Sequence, residues 1–75
     1  MNVLFFGQIA DITGNTDLQV EDVADTATLI KKLQTNYPAL SNSKFAVAVN
    51  KKIILGNTEL QKDFEVALLP PFSGG

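Results

Sequence analysis

The sequence predicts an α+β domain in which a mixed β-sheet packs on one main helix. Three observations carry that prediction. Bulky, β-prone runs lie near both ends and in the middle of the chain, and a single segment has helical spacing. A length of 75 residues leaves that helix one sheet on which to bury its apolar stripe.

Val3 to Gln8 is nearly continuous in apolar character, as a central strand requires, and Gly7 and Gly14-Asn15 supply turn chemistry around a possible single helical turn, Ala10 to Thr13. Thr16 to Val20 alternates Leu18 and Val20 against Asp17 and Gln19, the period of a half-buried strand that pairs with the first as a hairpin. Leu29, Ile30, Leu33 and Tyr37 then fall on one helical stripe, with Lys31 and Lys32 facing water. Asp25 is the expected N-cap, accepting from the N–H of Ala27 or Thr28, and Pro38 ends the helix, which should run from Thr26 to Asn36. After the polar loop Ser41 to Lys44, Phe45 to Asn50 alternates large and small residues. Phe45, Val47 and Val49 share one face and Ala46 and Ala48 keep the other thin. Lys51 to Leu55 reads as a short edge strand guarded by lysines, and Gly56-Asn57 as a turn. The last strand, Glu65 to Leu69, stops at Pro70-Pro71. The economical arrangement sets the first and last strands side by side and parallel, which is a β-grasp, or ubiquitin-like, architecture. Residues 1–75 form a single such domain, with a flexible C-terminal tail from about 70 to 75.

Composition narrows the function. With 45% apolar and 19% charged residues the chain collapses around a core. Six lysines against eight carboxylates give a net charge of −2, and the lysines cluster only as Lys31-Lys32 and Lys51-Lys52, which argues against nucleic acid as a partner. The apolar opening, Met1 to Phe6, has no basic flank and is too short for a membrane span, so no membrane is expected and the protein is placed in the cytoplasm. Lacking cysteine and histidine, the chain has no thiolate and no imidazole ligand or base, so catalysis of its own is not expected. Glu21, Asp22 and Asp25 read as a solvated helix approach, Asn50 as a turn residue, and Asp11 with Thr13-Gly14 as loop capping.

Chemistry concentrates at the end. Ser73-Gly74-Gly75 by itself describes a floppy tail, but it follows directly on a strand, and Pro70-Pro71-Phe72 stiffens the exit. Six residues from Pro70 reach about 20 Å when extended, far enough to enter another protein's pocket. Two glycines can thread a narrow channel because they have no Cβ. The reactive group at the tip is the α-carboxylate of Gly75, an anion at neutral pH and a poor electrophile. It needs activation, most simply as an acyl-adenylate, and the sequence has no phosphate-binding loop to make one. Another protein must supply the ATP chemistry. An activated carbonyl can then take up sulfur as a thiocarboxylate.

Val3-Leu4-Phe5-Phe6 followed by Asp11-Ile12-Thr13-Gly14, then Ala48-Val49-Asn50, then Glu65 through Gly75 with its Pro-Pro-x-Ser-Gly-Gly ending, resembles the MoaD family, the small subunit of molybdopterin synthase. The resemblance spans essentially the full length. It implies a β-grasp fold and a non-catalytic, sulfur-donating subunit of a transferase complex. The terminal glycine is adenylated by an E1-like adenylyltransferase of the MoeB type and thiocarboxylated. The carrier then docks into the large synthase subunit and passes sulfur to cyclic pyranopterin monophosphate in molybdenum cofactor biosynthesis. By position, Gly75 carries the sulfur, Gly74 and Ser73 thread the tail, and Phe6, Ile53, Leu69 and Phe72 contact partners. No cofactor is bound by this chain; ATP with magnesium is used by the activating partner. Asp63-Phe64 departs from the Gly-Asp usual in relatives and should alter the turn before the last strand.

Without the resemblance, Phe6, Ile53 and Leu69 could equally be core or lone surface residues; a contiguous patch would mean more. Two other functions fit the same tail. One is the sulfur carrier of thiamine synthesis, which works by the same mechanism but usually lacks the Leu-Phe-Phe opening and the Pro-Pro-x-Ser-Gly-Gly ending. The other is a ubiquitin-like binding or tagging module whose glycines are conjugated to lysines or do nothing.

Overall fold

The computed structural model describes residues 1–71. Five strands and two α-helices alternate along the chain: β1 (Asn2–Phe5), α1 (Gln8–Thr13), β2 (Asp17–Gln19), α2 (Thr26–Asn36), β3 (Ala46–Val49), β4 (Lys52–Ile54) and β5 (Glu65–Leu69), with a 3-10 segment at Pro38–Asn42. The strands form one mixed sheet in the order β2-β1-β5-β3-β4. β1 and β5 lie at its centre and run parallel, and every other neighbouring pair is antiparallel. This is the β-grasp arrangement expected from the sequence.

The alternation of the strands decides which residues meet the helix. Val3 and Phe5 of β1, Val66 and Leu68 of β5, and Val47 and Val49 of β3 are all buried, and they join Leu29 and Leu33 of α2, Ile9 of α1 and Leu40 of the 3-10 segment in one core. Ile30 and Tyr37 pack at its margin, so the helical stripe read from spacing is the buried one. Tyr37 leaves the helix with φ −131° and ψ 82°, the extended geometry that the ring of Pro38 demands of its predecessor.

Helix α2 begins as expected at Asp25, whose carboxylate accepts from the Thr28 N–H at 2.9 Å. A distant residue completes the cap. Asn57, just past β4, accepts from the Ala27 N–H at 2.9 Å and from the Thr26 hydroxyl at 3.2 Å, and donates to Asp25 at 3.1 Å. Thr58 and Thr26 exchange two further bonds, so the loop after β4 is stitched to the helix start. Hydrogen bonding from Thr28, through side chain and then backbone, and from Asn57 holds the Asp25 carboxyl below its ordinary pKa.

Three local readings change. The first strand ends at Phe5 rather than Gln8, because Gly7 turns to φ +56° and Gln8 opens α1. That helix spans six residues instead of one turn from Ala10, and Gly14 closes it in the left-handed region at φ 72°. The loop read at 41–44 is preceded by a 3-10 turn from Pro38 that buries Leu40; proline at its first position favours such a start. β2, β3 and β4 keep their places with each end one residue shorter, and β5 keeps both its ends. The Asp63-Phe64 departure is absorbed by a turn in which the Phe64 N–H donates to the Gln61 carbonyl at 3.0 Å and the Phe64 ring leans on the core.

Candidate functional site

The face of the sheet turned away from α2 is built from the alternate residues of the same strands. Register places Leu4, Ala67, Ala48 and Ile53 in one row across β1, β5, β3 and β4. Ala46 pairs with Leu69 in the next row, toward the C-terminal end of β5. Alternation extends that row to Phe6, whose neighbour Phe5 points to the helix side, and the exposed Leu55 follows directly on the end of β4. Phe6 stays tied to the sheet, its N–H donating to the Leu68 carbonyl at 3.1 Å. At the other end of this face the row is polar: Gln19, Asn2 and Glu65.

The face is therefore divided. Its apolar half lies at the end from which the chain departs into Pro70-Pro71. There Phe6 is 44% exposed, Ile53 56% and Leu55 99%, and Leu4 and Leu69 are half-buried. The alanines between them keep the centre low, so the larger side chains stand as a rim around a shallow apolar floor. A contiguous set of exposed hydrophobes is what distinguishes a docking surface from scattered surface residues.

Three of the residues singled out from sequence, Phe6, Ile53 and Leu69, are thus brought onto one face. Leu55 was missed; it lies one residue past the end of β4 and is almost fully exposed. The tail residues Phe72, Ser73, Gly74 and Gly75, and with them the threading and sulfur-bearing roles, lie outside the described residues.

The opposite edge of the face is held by the β3–β4 hairpin. Asn50 and Lys51 form its two-residue loop, with φ values of 50° and 71°. Asn50 also clamps the start of β5: its N–H donates to the Glu65 carbonyl at 2.8 Å, and its side-chain oxygen accepts from the Glu65 N–H at 3.0 Å. The turn residue read from sequence therefore also fixes the strand that leads to the tail. Among the described residues no group of three or more Asp, Glu, His or Cys side chains is placed to hold a metal ion. No helix among them is long and apolar enough to cross a membrane.

The ThiS family profile matches residues 3–75, nearly the whole chain. The chain belongs to the ThiS family. A curated relative, the molybdopterin synthase sulfur carrier subunit of Mycobacterium tuberculosis, is 34% identical over 80 residues, covering all of this chain and 96% of the relative. Among solved structures, the small archaeal modifier protein 1 of Methanosarcina acetivorans shares the fold of this ThiS-family chain with a TM-score of 0.81 at 22% identity, covering 99% of this chain and 94% of its own. A chain from the protein–protein complex of subunits 1 and 2 of the Helicobacter pylori molybdopterin-converting factor superimposes with a TM-score of 0.72 at 26% identity, covering 99% of this chain and 96% of that one.

Proposed function

We propose that this chain is the sulfur carrier subunit of molybdopterin synthase, working in the cytoplasm, with Gly75 as its charged residue. The observation that carries the reading is the coupling of two features in one ThiS-family chain. An apolar sheet face is exposed at the very end where β5 leads into a Pro-Pro-Phe-Ser-Gly-Gly terminus. A carrier needs both: a surface by which a partner holds the globule, and a slim arm that the partner's site can receive. The M. tuberculosis relative is named for this role, and the H. pylori neighbour comes from a two-subunit complex.

The chemistry follows from the carboxylate. One oxygen of Gly75 attacks the α-phosphorus of ATP, held with magnesium by an E1-like partner, and pyrophosphate leaves. A sulfur nucleophile then displaces AMP from the acyl carbon and leaves a thiocarboxylate. Docked on the large synthase subunit through Phe6, Ile53, Leu69 and Phe72, the carrier presents that sulfur to cyclic pyranopterin monophosphate; the sulfur bonds to the pyranopterin, and water then cleaves the acyl–sulfur bond and returns Gly75 as the carboxylate. Gly74 and Ser73 thread the arm through the partner's channel, Gly74 passing its narrowest part because it has no Cβ. The chain itself holds no cofactor in this scheme.

The test is intact-mass measurement after incubation with an activating enzyme, ATP with magnesium and a sulfur donor. A gain of one oxygen-to-sulfur exchange is expected, and it should vanish when Gly75 is deleted while thermal unfolding stays unchanged, since β5 ends at Leu69, six residues before the deleted one. Sulfur loading that survives the deletion sinks the reading. The ThiS match also admits a thiamine-type carrier. Sulfur transfer in the presence of the large synthase subunit and the pyranopterin separates the two, because a thiamine-type carrier would be loaded but not discharged.

A further inference from the structure

Past the end of β5, the ring of Pro70 lies against the backbone at the junction of β1 and α1. A Cβ built on Gly7 would come 2.7 Å from Pro70 Cγ and 3.5 Å from its Cδ, the first inside any normal contact. Gly7 also holds φ +56° and ψ −135°, a combination open to glycine and closed to side chains. Its surroundings are fixed on both sides. The Phe6 N–H is bonded to the Leu68 carbonyl at 3.1 Å, and the Phe6 and Gly7 carbonyls accept from the N–H groups of Ile9 and Ala10, each at 3.1 Å. Pro70 thus rests on a floor anchored by the parallel ladder in front and the first turn of α1 behind.

We propose that Gly7 is a positioning residue for the C-terminal arm: its bare backbone seats the Pro70 ring, and that seat sets the direction in which the chain leaves β5. The inference rests on the reading of Gly75 as the working residue and adds to it a device for aiming that residue. A proline fixes its own φ and keeps its predecessor extended, but within the extended region the neighbouring torsions still range over about 40°. A proline ring lodged against Gly7 narrows that range, so the chain leaves Pro70 in one direction. A partner that captures a pre-aimed arm loses less conformational freedom on binding.

The sequence contains no cysteine, so Lys31→Cys on the exposed side of α2 and Ser73→Cys in the arm create two unique thiols for nitroxide labels. Pulsed dipolar distances between them should form a narrow distribution in the otherwise unchanged chain and a broad one when Pro70→Ala removes the ring. As a substrate of its activating enzyme, unlabelled Pro70→Ala should show KM raised about ten-fold with kcat retained, the pattern of lost pre-organisation rather than lost structure. Gly7→Ala meets both the clash and the backbone penalty. The double variant Gly7→Ala, Pro70→Ala should therefore regain part of the thermal midpoint lost by Gly7→Ala alone. Where Gly7→Ala does not fold at all, the Pro70→Ala distances decide. An equal distance distribution with and without the ring overturns the proposal, as does a loss confined to kcat. The distances require no partner, so a narrow distribution in a chain that never loads sulfur would refute the sulfur-carrier function and leave the seat standing.

Discussion

The two faces of this one sheet obey the same alternation and end in opposite conditions. Toward α2, Val3, Phe5, Val47, Val49, Val66 and Leu68 are closed off from water. Away from it, their chain neighbours Leu4, Phe6, Ala46, Ala67 and Leu69 remain partly open to water, and Ile53 and Leu55 stand in solvent. A half-buried sheet would ordinarily turn polar residues outward, as β2 does with Asp17 and Gln19. The central and far strands do not, and they depart from the rule only at the end that feeds the tail. The difference separates two roles: the inner face holds the fold, and the outer face is left open for the partner proposed above.

The sharpest way to break that division is to mutate equivalent positions on opposite sides. Leu68→Ala, in the fully buried layer, should cost about 3 kcal/mol, a large share of the stability of a domain this small, and chemical denaturation would show it as a lower midpoint at similar slope. Ile53→Asp, on the outer face, should cost less than about 1 kcal/mol because the site is exposed and on an edge strand. It should nevertheless weaken association with the large synthase subunit by about 2 kcal/mol, roughly 30-fold in Kd by calorimetry, since a desolvated charge would sit in the middle of an apolar contact. If Ile53→Asp unfolded the chain and left binding intact, the outer face would have to be reassigned as part of the core.

Most of this was legible in the letters because the signals were periodic. The helix from Thr26 to Asn36 was bounded by Asp25 and Pro38, and the strands by alternation, so fold and inner core followed from spacing. The outer face was half legible. Phe6, Ile53 and Leu69 lie far apart in sequence, and only strand pairing shows that they share one surface. What stayed hidden depends on contacts across the fold. Asn57 capping a helix that starts some thirty residues earlier and the Gly7 backbone receiving Pro70 leave no local pattern. Gly7 also misled the strand boundary, because apolar character runs through Phe6 while the backbone has already turned.

The smallest expected effect probes the rim between the faces, where stability should move without function. The β3–β4 hairpin closes with Asn50 and Lys51 both at positive φ, the signature of a type I′ turn, whose second position favours glycine. Asn50 suits the first position and uses its side chain to hold Glu65; Lys51 tolerates the second at a steric cost. Lys51→Gly should relieve that cost and give back part of it to the greater freedom of the unfolded chain, for a net gain of about 0.5 kcal/mol in denaturant unfolding. Because residue 51 lies in the turn beyond the polar end of the outer face, affinity for the large subunit should stay within about two-fold of the parent. A stability gain with unaltered binding would complement Ile53→Asp, which moves binding and spares stability. A loss of affinity on Lys51→Gly would instead extend the docking surface down the hairpin and make the lysine ammonium part of it.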